Sequence, residues 1–117
     1  MNKTIFITGA SSGLGKASAK LFAAKGWTVI ATMRQPEQET ELTQFSNIHL
    51  LKLDISDVSQ TAEIASKAEE ISPVDVVLNN AGYGLMGPFE GTTDEQIAQQ
   101  INTNFLGTVL VTKSFLP

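Results

Sequence analysis

Short apolar runs alternate with longer amphipathic stretches along this chain. Four runs are rich in β-branched residues and nearly continuous in apolar character, which predicts strands buried on both faces. They lie at Thr4–Thr8, Thr28–Thr32, Ile48–Leu53 and Val74–Leu78. A regular alternation of strand and helix predicts a parallel α/β sheet with right-handed crossovers.

The stretches between the strands have apolar residues at helical spacing. Gly26 is a stop signal after the first helix, and Asp57 or Ser59 can cap the second. A shorter, weaker helix is expected at Gln38–Phe45. The two stripes expected to face the core are Leu14, Ala17, Leu21 and Ala24, then Ala62, Ala65, Ala68 and Ile71.

A last long helix is expected from about Thr93 to Leu116. Thr92 or Thr93 can cap its start, where the following acids Asp94 and Glu95 suit the helix dipole. A wider apolar face, formed by Phe105, Leu106, Val109 and Leu110, could cover the sheet. A row of apolar residues also lies along the side of this helix. Its members are Ile97, Ile101, Phe105 and Val109.

These elements together predict one Rossmann-type domain over residues 1–117. The fold class is α/β, a doubly wound parallel sheet with strand order 3-2-1-4 and helices on both faces. The chain has 117 residues, of which 42% are apolar and 17% charged, which suits a single globular domain.

Charge and composition exclude several classes of partner. The net charge is −4 and the basic residues are scattered, so neither nucleic acid nor an anionic membrane is expected as a partner. Cysteine is absent from the sequence, which excludes disulfides and thiolate metal sites. The apolar run before Gly9 is too short for a signal peptide or a membrane span, so we expect a cytoplasmic protein.

The loop after the first strand has glycines at the spacing Gly-x-x-x-Gly-x-Gly, at Gly9, Gly13 and Gly15. Gly9 permits a sharp turn, Gly13 lets backbone amides approach a pyrophosphate, and Gly15 allows close packing of helix on sheet. The hydroxyls of Ser11 and Ser12 add donors near the helix N-terminus, which favours anions. The alternative is a glycine-rich turn that binds no ligand.

Arg34 follows the second strand, 19 residues after Gly15. NAD sites commonly have an acid here, whereas a guanidinium can hold the 2′-phosphate of NADP. We therefore predict NADP(H) over NAD(H), with Arg34 as the main contact and Ser12 or Lys16 as helpers. The alternative is that Arg34 is only solvated at a strand end.

Polar residues also follow the third and fourth strands. Asp54 could accept a hydrogen bond from the adenine amino group, or it could only stabilise a turn. The segment Asn79-Asn80-Ala81-Gly82 has two amides that could tie strand ends together, followed by small residues that leave room for a ribose. The expected cofactor contacts are Gly9, Ser11, Ser12, Gly13, Leu14, Gly15, Arg34, Asp54, Ile55, Asn80, Ala81 and Gly82.

With these motifs the chain resembles the classical short-chain dehydrogenase/reductase family, and the segment ending at Arg34 resembles its NADP-dependent members. The Asn104-Phe105-Leu106-Gly107 segment is similar to the family's Asn-x-x-Gly context. The resemblance implies hydride transfer between NADP(H) and a small alcohol or carbonyl substrate. It also implies a homo-oligomer formed through the 93–116 helix.

The family's mechanism uses a tyrosine as acid/base, a lysine that lowers its pKa, a substrate-orienting serine and an asparagine that supports a proton-relay water. Asn104 is the catalytic residue that the resemblance places, although an asparagine in a helix can also merely distort it. Tyr83 is followed four residues later by Gly87, not lysine, so it is not the catalytic tyrosine. We expect the chain to stop before the family's serine strand and Tyr-x-x-x-Lys helix, and to be inactive alone. A non-catalytic dinucleotide-binding or partner-binding module is the alternative function.

Overall fold

The computed structural model describes residues 3–82 and 87–116. A parallel sheet is formed by β1 (Thr4–Ile7), β2 (Thr28–Met33), β3 (Ile48–Lys52) and β4 (Val76–Leu78). Their order is β3-β2-β1-β4, which confirms the predicted topology. Each strand differs from its predicted range by no more than two residues at either end.

Helices cover both faces of this sheet. The described helices are α1 (Gly13–Ala24), α2 (Thr61–Ile71), α3 (Asp94–Ile101) and α4 (Gly107–Phe115). A π-helical segment, Asn102–Leu106, joins α3 to α4, so the single long helix expected here is continuous but changes its winding in the middle. Such π-helical insertions often occur at functional sites.

Successive residues of β1 point to opposite faces, and each face has its own core. On one face Ile5 and Ile7 belong to the cluster that contains Ala19 of α1. On the other face Phe6 packs with residues of α2 and α4, including Val111. The ring of Phe115 lies 4.6 Å from that of Phe6. The first strand is therefore buried from both sides, as its continuous apolar run predicts.

The stripe of α1 that faces the core is not the predicted one but lies on a different side of the helix. Leu14 is 81% exposed and Leu21 is 55% exposed, whereas Ala19 and Ala23 are buried. Small side chains allow the helix axis to approach the sheet closely, so the closest face consists of the smaller residues. The larger leucines consequently lie on the outer side of the helix.

The stripes of the later helices are also partly wrong. In α2, Ala65 and Ala68 are buried as expected, but Ile64 takes the place predicted for Ala62 and Ile71. In the last helical stretch, Leu106 and Leu110 of the wider apolar face are half-buried, but the rest of that face does not cover the sheet. Ile101, Phe105 and Val109 are exposed, and the buried residues are Thr103, Gly107 and Val111.

The short helix expected at Gln38–Phe45 is wrong. Two single 3₁₀ turns, Pro36–Gln38 and Leu42–Gln44, stand there instead. Leu42 is fully buried in the core beside α1. One buried side chain anchors this segment, which lacks the repeated apolar contacts that would stabilise a regular helix.

The predicted helix caps are confirmed at α3 and displaced at α2. Thr93 accepts a hydrogen bond from Gln96 N, and the Gln96 side chain accepts one from Thr93 N, which completes a capping box. Asp57 caps the 3₁₀ turn Val58–Gln60 that precedes α2, not α2 itself. Within the part of the chain that the structure describes, no helix is long and apolar enough to cross a membrane.

Candidate functional site

The carboxyl ends of the parallel strands surround a cavity of about 470 Å³. Ligands of open α/β sheets bind at this edge, where the strand order reverses between β1 and β4. The walls come from the first loop, the ends of β2, β3 and β4, and the α3–α4 region. Its lining residues are Thr8, Gly9, Ser11, Ser12, Thr32, Met33, Arg34, Leu53, Asp54, Ile55, Ser56, Asn80, Ala81, Gly82, Gln99 and Thr103.

The loop after β1 turns sharply at Gly9, which has a φ of 66°. A Cβ at Gly9 would lie 2.8 Å from the Cα of Ala81, so this position requires glycine for both its conformation and its space. A Cβ at Gly15 would overlap the carbonyl oxygen of Gly9 and lie 2.5 Å from Asn80 Nδ2. The roles expected for Gly9 in the turn and Gly15 in close packing therefore agree with this geometry.

Ser12 is the residue at which α1 begins. Its side chain makes no capping hydrogen bond, although serine commonly caps in this way. The backbone of Ser12 is extended, and the residue lines the cavity. Ser12 therefore places the N-terminus of α1, with a hydroxyl, at the cavity wall.

Thr8 ties the first loop to the end of β4. Its Oγ1 accepts hydrogen bonds from the backbone N–H groups of Asn80, at 3.1 Å, and Ala81, at 3.0 Å. The Nδ2 of Asn80 donates back to the carbonyl oxygen of Gly9, at 3.0 Å. These bonds fix the relative position of the two adjacent loops, both of which line the cavity.

The two adjacent amides have different roles. Asn80 joins the two strand ends, as expected for this pair. Asn79 reaches α4 instead, where its Nδ2 donates to Thr112 Oγ1 at 3.0 Å. Among the described residues, the buried Asn79 Oδ1 has no hydrogen-bond partner.

Arg34 stands where the cavity opens past the end of β2. Its side chain is exposed, and Arg34, Met33 and Ser11 also line a second cavity of about 420 Å³. The other residues of the second cavity are Lys16, Gln35, Gln38, Glu39 and Thr40. Of the two residues predicted to help Arg34, Lys16 lines this second cavity and Ser12 lines only the first; Ser11 lines both.

Of the three acids after β2, Glu37 and Glu41 are exposed and Glu39 is not. The side chain of Glu39 is only 4% exposed and forms an ion pair of 3.2 Å with Lys16 Nζ. Glu41 forms ion pairs with Lys16, at 3.7 Å, and with Lys20.

Both paired carboxylates have a pKa below the ordinary value of 4.5. Burial alone would raise the pKa of Glu39, but the hydrogen bond from the Leu42 backbone and the charge and hydrogen bond of Lys16 outweigh it. At Glu41 the hydrogen bond from Lys20 is the main cause of the lowered pKa, followed by the charge of Lys16. Both groups are therefore carboxylates near neutral pH.

Asp54 and Ile55 lie at the floor of the first cavity, after β3. Asp54 Oδ1 accepts hydrogen bonds from Ser56 N, at 3.0 Å, and Ser56 Oγ, at 2.6 Å. The turn role considered for Asp54 is therefore present. Within the described residues its side-chain hydrogen bonds use Oδ1, so Oδ2 is the oxygen that could accept from a ligand.

Asn104 lies in the π-helical segment and faces the end of β4. Its Oδ1 is 3.0 Å from the point that a Cβ on Gly82 would occupy. Thr103, its neighbour, is buried and lines the cavity. The helix distortion weighed as an alternative at Asn104 is therefore real, and it accompanies the placement of Asn104 beside the cavity wall. Tyr83 lies outside the described residues.

Most of the predicted contact residues line the first cavity, but not all of them do. Gly13, Leu14 and Gly15 are absent from its described lining, and Leu14 projects outward. Sequence reasoning missed several lining residues that have no motif of their own. The sequence pattern shows only that such residues lie in or beside strand ends and a helix: Thr32, Met33, Leu53, Ser56, Gln99 and Thr103.

The cavity suits a dinucleotide by its shape and its donor groups. The loop from Gly9 to Ser12, with the Ser11 and Ser12 hydroxyls at the N-terminus of α1, fits a pyrophosphate. Asp54 and Arg34 are the charged side chains on its described walls, and they lie near the ends of neighbouring strands. Among the described residues, no cluster of histidine, aspartate and glutamate could hold a metal ion.

Residues 3–117 match the family model described as short chain dehydrogenase. An uncharacterized oxidoreductase of Schizosaccharomyces pombe is 42% identical over 97% of this chain and 38% of its own length. A 3-ketodihydrosphingosine reductase of Bacteroides thetaiotaomicron is 37% identical over 97% of this chain and 40% of its own. The chain thus spans about two fifths of the length of these relatives.

Solved structures of the same kind superpose closely. A short-chain dehydrogenase from Streptomyces avermitilis matches with a TM-score of 0.93 and 33% identity, over 99% of this chain and 43% of its own. ElxO with NADP bound matches with a TM-score of 0.84 and 33% identity, over 97% of this chain and 49% of its own. A Leptospira borgpetersenii short-chain dehydrogenase with bound NAD⁺ has a TM-score of 0.87 and 26% identity, over 98% of this chain and 45% of its own. Similar proteins therefore bind either dinucleotide.

Proposed function

This chain belongs to the short-chain dehydrogenase family, and we propose that it is the NADP(H)-binding portion of an oxidoreductase that acts on an alcohol or a carbonyl compound. The bound cofactor would supply or accept the hydride. The residues of this chain would bind and orient it. We also propose a cytoplasmic location, and that residues 1–117 alone lack the groups needed for turnover.

The position of Arg34 is the observation that carries the NADP preference. Arg34 lines both cavities at the end of β2, where an NAD site would commonly have a carboxylate. A guanidinium there can donate two parallel hydrogen bonds to a phosphate. The nearby carboxylate of Glu39 accepts hydrogen bonds from the backbone N–H groups of Glu41 and Leu42, so it opposes a phosphate less than a free acid would.

The other predicted contacts have distinct tasks in this proposal. The first turn of α1, with Ser11 and Ser12, holds the pyrophosphate through N–H and O–H donors. Asp54 accepts from the adenine amino group through Oδ2. Ala81 and Gly82 leave space for the ribose on the nicotinamide side. Asn104, beside Gly82, holds a water on a proton path in the complete enzyme.

Titration of the chain with NADPH and NADH, followed by nucleotide fluorescence, tests the proposal. We expect tighter binding of NADPH, and we expect Arg34→Ala to weaken it by about tenfold to a hundredfold because charge-assisted hydrogen bonds contribute about 1.5–3 kcal/mol. NADH binding should change by less than about twofold, since NADH lacks the phosphate. Lys52→Ala is the matched control, because Lys52 is exposed on β3 and outside both cavity linings. Equal weakening of both nucleotides by Arg34→Ala would contradict the phosphate role.

A further inference from the structure

Glu39 occupies an unusual position for an acid, beside a cavity expected to take a phosphate. It lines the second cavity together with Lys16 and Arg34, so two cations and one carboxylate face the same space. The carboxylate is almost fully covered, with 4% of its side chain exposed. Its effect on an anion in this cavity depends on which partner its charge is paired with.

The two oxygens of Glu39 have different partners. Oε2 accepts hydrogen bonds from the backbone N–H groups of Glu41, at 2.9 Å, and Leu42, at 3.0 Å. Leu42 is fully buried, so this backbone is anchored in the core. Oε1 is the oxygen that pairs with Lys16 Nζ at 3.2 Å. The carboxylate is therefore fixed in place by the backbone, and the ammonium group comes to it.

Lys16 is the member of the pair that can turn to another partner. Its ammonium ends a flexible four-carbon stem with three donors that can be redirected, unlike the planar fork of Arg34. Lys16 Nζ lies between Glu39 and Glu41, while Glu41 also pairs with Lys20. Glu41 would therefore keep a cationic partner if Lys16 turned toward the cavity.

We propose that Glu39 is a specificity-determining residue that holds Lys16 as its counter-ion until a 2′-phosphate in the second cavity withdraws it. The inference rests on the proposed NADP(H) preference and deepens it. A phosphomonoester has a charge of about −1.5 to −2 and three acceptor oxygens, more than one guanidinium satisfies. Lys16 supplies the remaining donors, but breaking its pair with Glu39 costs free energy and so makes NADP(H) binding less favourable. Glu39 thus weakens NADP(H) binding and leaves NAD(H) binding unchanged.

A double-mutant cycle on Lys16 and Glu39 tests this exchange. The probes are NADPH and NADH, together with 2′,5′-ADP and 5′-AMP, which isolate the 2′-phosphate without a nicotinamide. We expect Glu39→Gln to tighten NADPH and 2′,5′-ADP binding by about threefold to tenfold, and Lys16→Met to weaken it by a similar factor, as for partly exposed charge pairs. In the Lys16→Met background the gain from Glu39→Gln should fall below about twofold.

Glu37→Gln is the matched control, because it removes the same charge from an exposed side chain outside the described lining of the second cavity. An equal gain from Glu37→Gln would overturn the proposal, since the effect would then be general charge. A full gain from Glu39→Gln in the Lys16→Met background would also overturn it, because Glu39 would then repel the phosphate directly.

The outcome separates this inference from the function on which it rests. If Arg34→Ala does not weaken NADPH selectively, the NADP(H) preference itself fails. If Arg34→Ala does so but Lys16→Met leaves 2′,5′-ADP binding unchanged, the exchange alone is overturned. Urea unfolding of each variant shows whether it folds. Should Glu39→Gln fail to fold, Glu39→Asp replaces it, because the shorter acid keeps the charge and loosens the Lys16 contact, and no gain in 2′,5′-ADP binding would overturn the proposal.

Discussion

The hydroxyl oxygen of Thr8 lies 3.0 Å from the backbone nitrogen of Ala81 and accepts its hydrogen bond. Thr8 follows β1 and Ala81 follows β4, so this bond joins two loops that are 73 residues apart in sequence. Thr8 is 1% exposed, so its hydroxyl is buried between the two loops. Together with the bond from Asn80 Nδ2 to Gly9 O, it holds the two loops in register.

Replacing Thr8 with valine should destabilise the fold and the cavity together. The change leaves the N–H groups of Asn80 and Ala81 without their acceptor, at about 1–3 kcal/mol of unfolding free energy. We expect urea unfolding to show this loss and both dinucleotides to bind more weakly. Thr8→Ser, which keeps the hydroxyl, should recover most of the affinity; equal losses in both variants would show that the methyl group matters instead.

Gly15→Ala should weaken binding of both dinucleotides to a similar degree. The new methyl group would collide with the Gly9 carbonyl and lie 2.5 Å from Asn80 Nδ2, so the phosphate loop must shift. The expected loss of unfolding free energy is about 1–3 kcal/mol, as for overpacking elsewhere. Gly91→Ala is the control, because its Cβ would meet only Pro88, at 3.5 Å. Unchanged affinity in a folded Gly15→Ala chain would contradict the close-packing role.

The ion pairs beside α1 predict a loss of stability in acid. The pKa of Glu39 and of Glu41 is lowered from 4.5 in the folded chain, so the folded state binds fewer protons than the unfolded state. The contribution of these carboxylates to the free energy of unfolding is fully present above the ordinary carboxyl pKa. It disappears as the pH falls through their lower pKa values in the folded chain. Wild type should therefore exceed Glu39→Gln/Glu41→Gln in unfolding free energy at about pH 7, and the difference should shrink by about pH 3. A constant difference across this range would exclude the ion pairs as its origin.

The exposed apolar row of the last helical stretch gives a test of self-association. Phe105 is 67% exposed, between Ile101 at 53% and Val109 at 46%. If this side joins two copies, as the resemblance implies, Phe105→Glu should raise the dissociation constant by at least about tenfold while leaving the chain folded. Sedimentation velocity measures the change. Ser66→Glu places the same charge on the exposed side of α2 and should have no effect; a similar loss from both variants would point to general repulsion.

The sequence by itself determined the sheet, its strand order and the position of the glycine-rich loop. Continuous apolar runs identify strands buried on both faces, and glycine spacing after the first strand identifies a turn that few other residues allow. The family could also be recognised from the sequence, because its motifs occur in order along the chain. The strands and the glycine loop are local features, so neighbouring residues are sufficient to predict them. The strand order followed from the doubly wound topology that the alternation of strand and helix implies.

Only the tertiary structure decided which side of each helix meets the sheet and which charges meet each other. On α1 the sequence favoured Leu14 and Leu21 as the residues that face the core. In the structure Ala19 and Ala23 face the sheet instead, because small side chains let the helix come closer. The contact between Lys16 and Glu39 joins residues 23 positions apart, on a helix and a turn, and has no periodic signal. Thr8 likewise reads as a strand residue until β4 lies beside it. Such contacts depend on distances between elements, which a one-dimensional pattern does not contain.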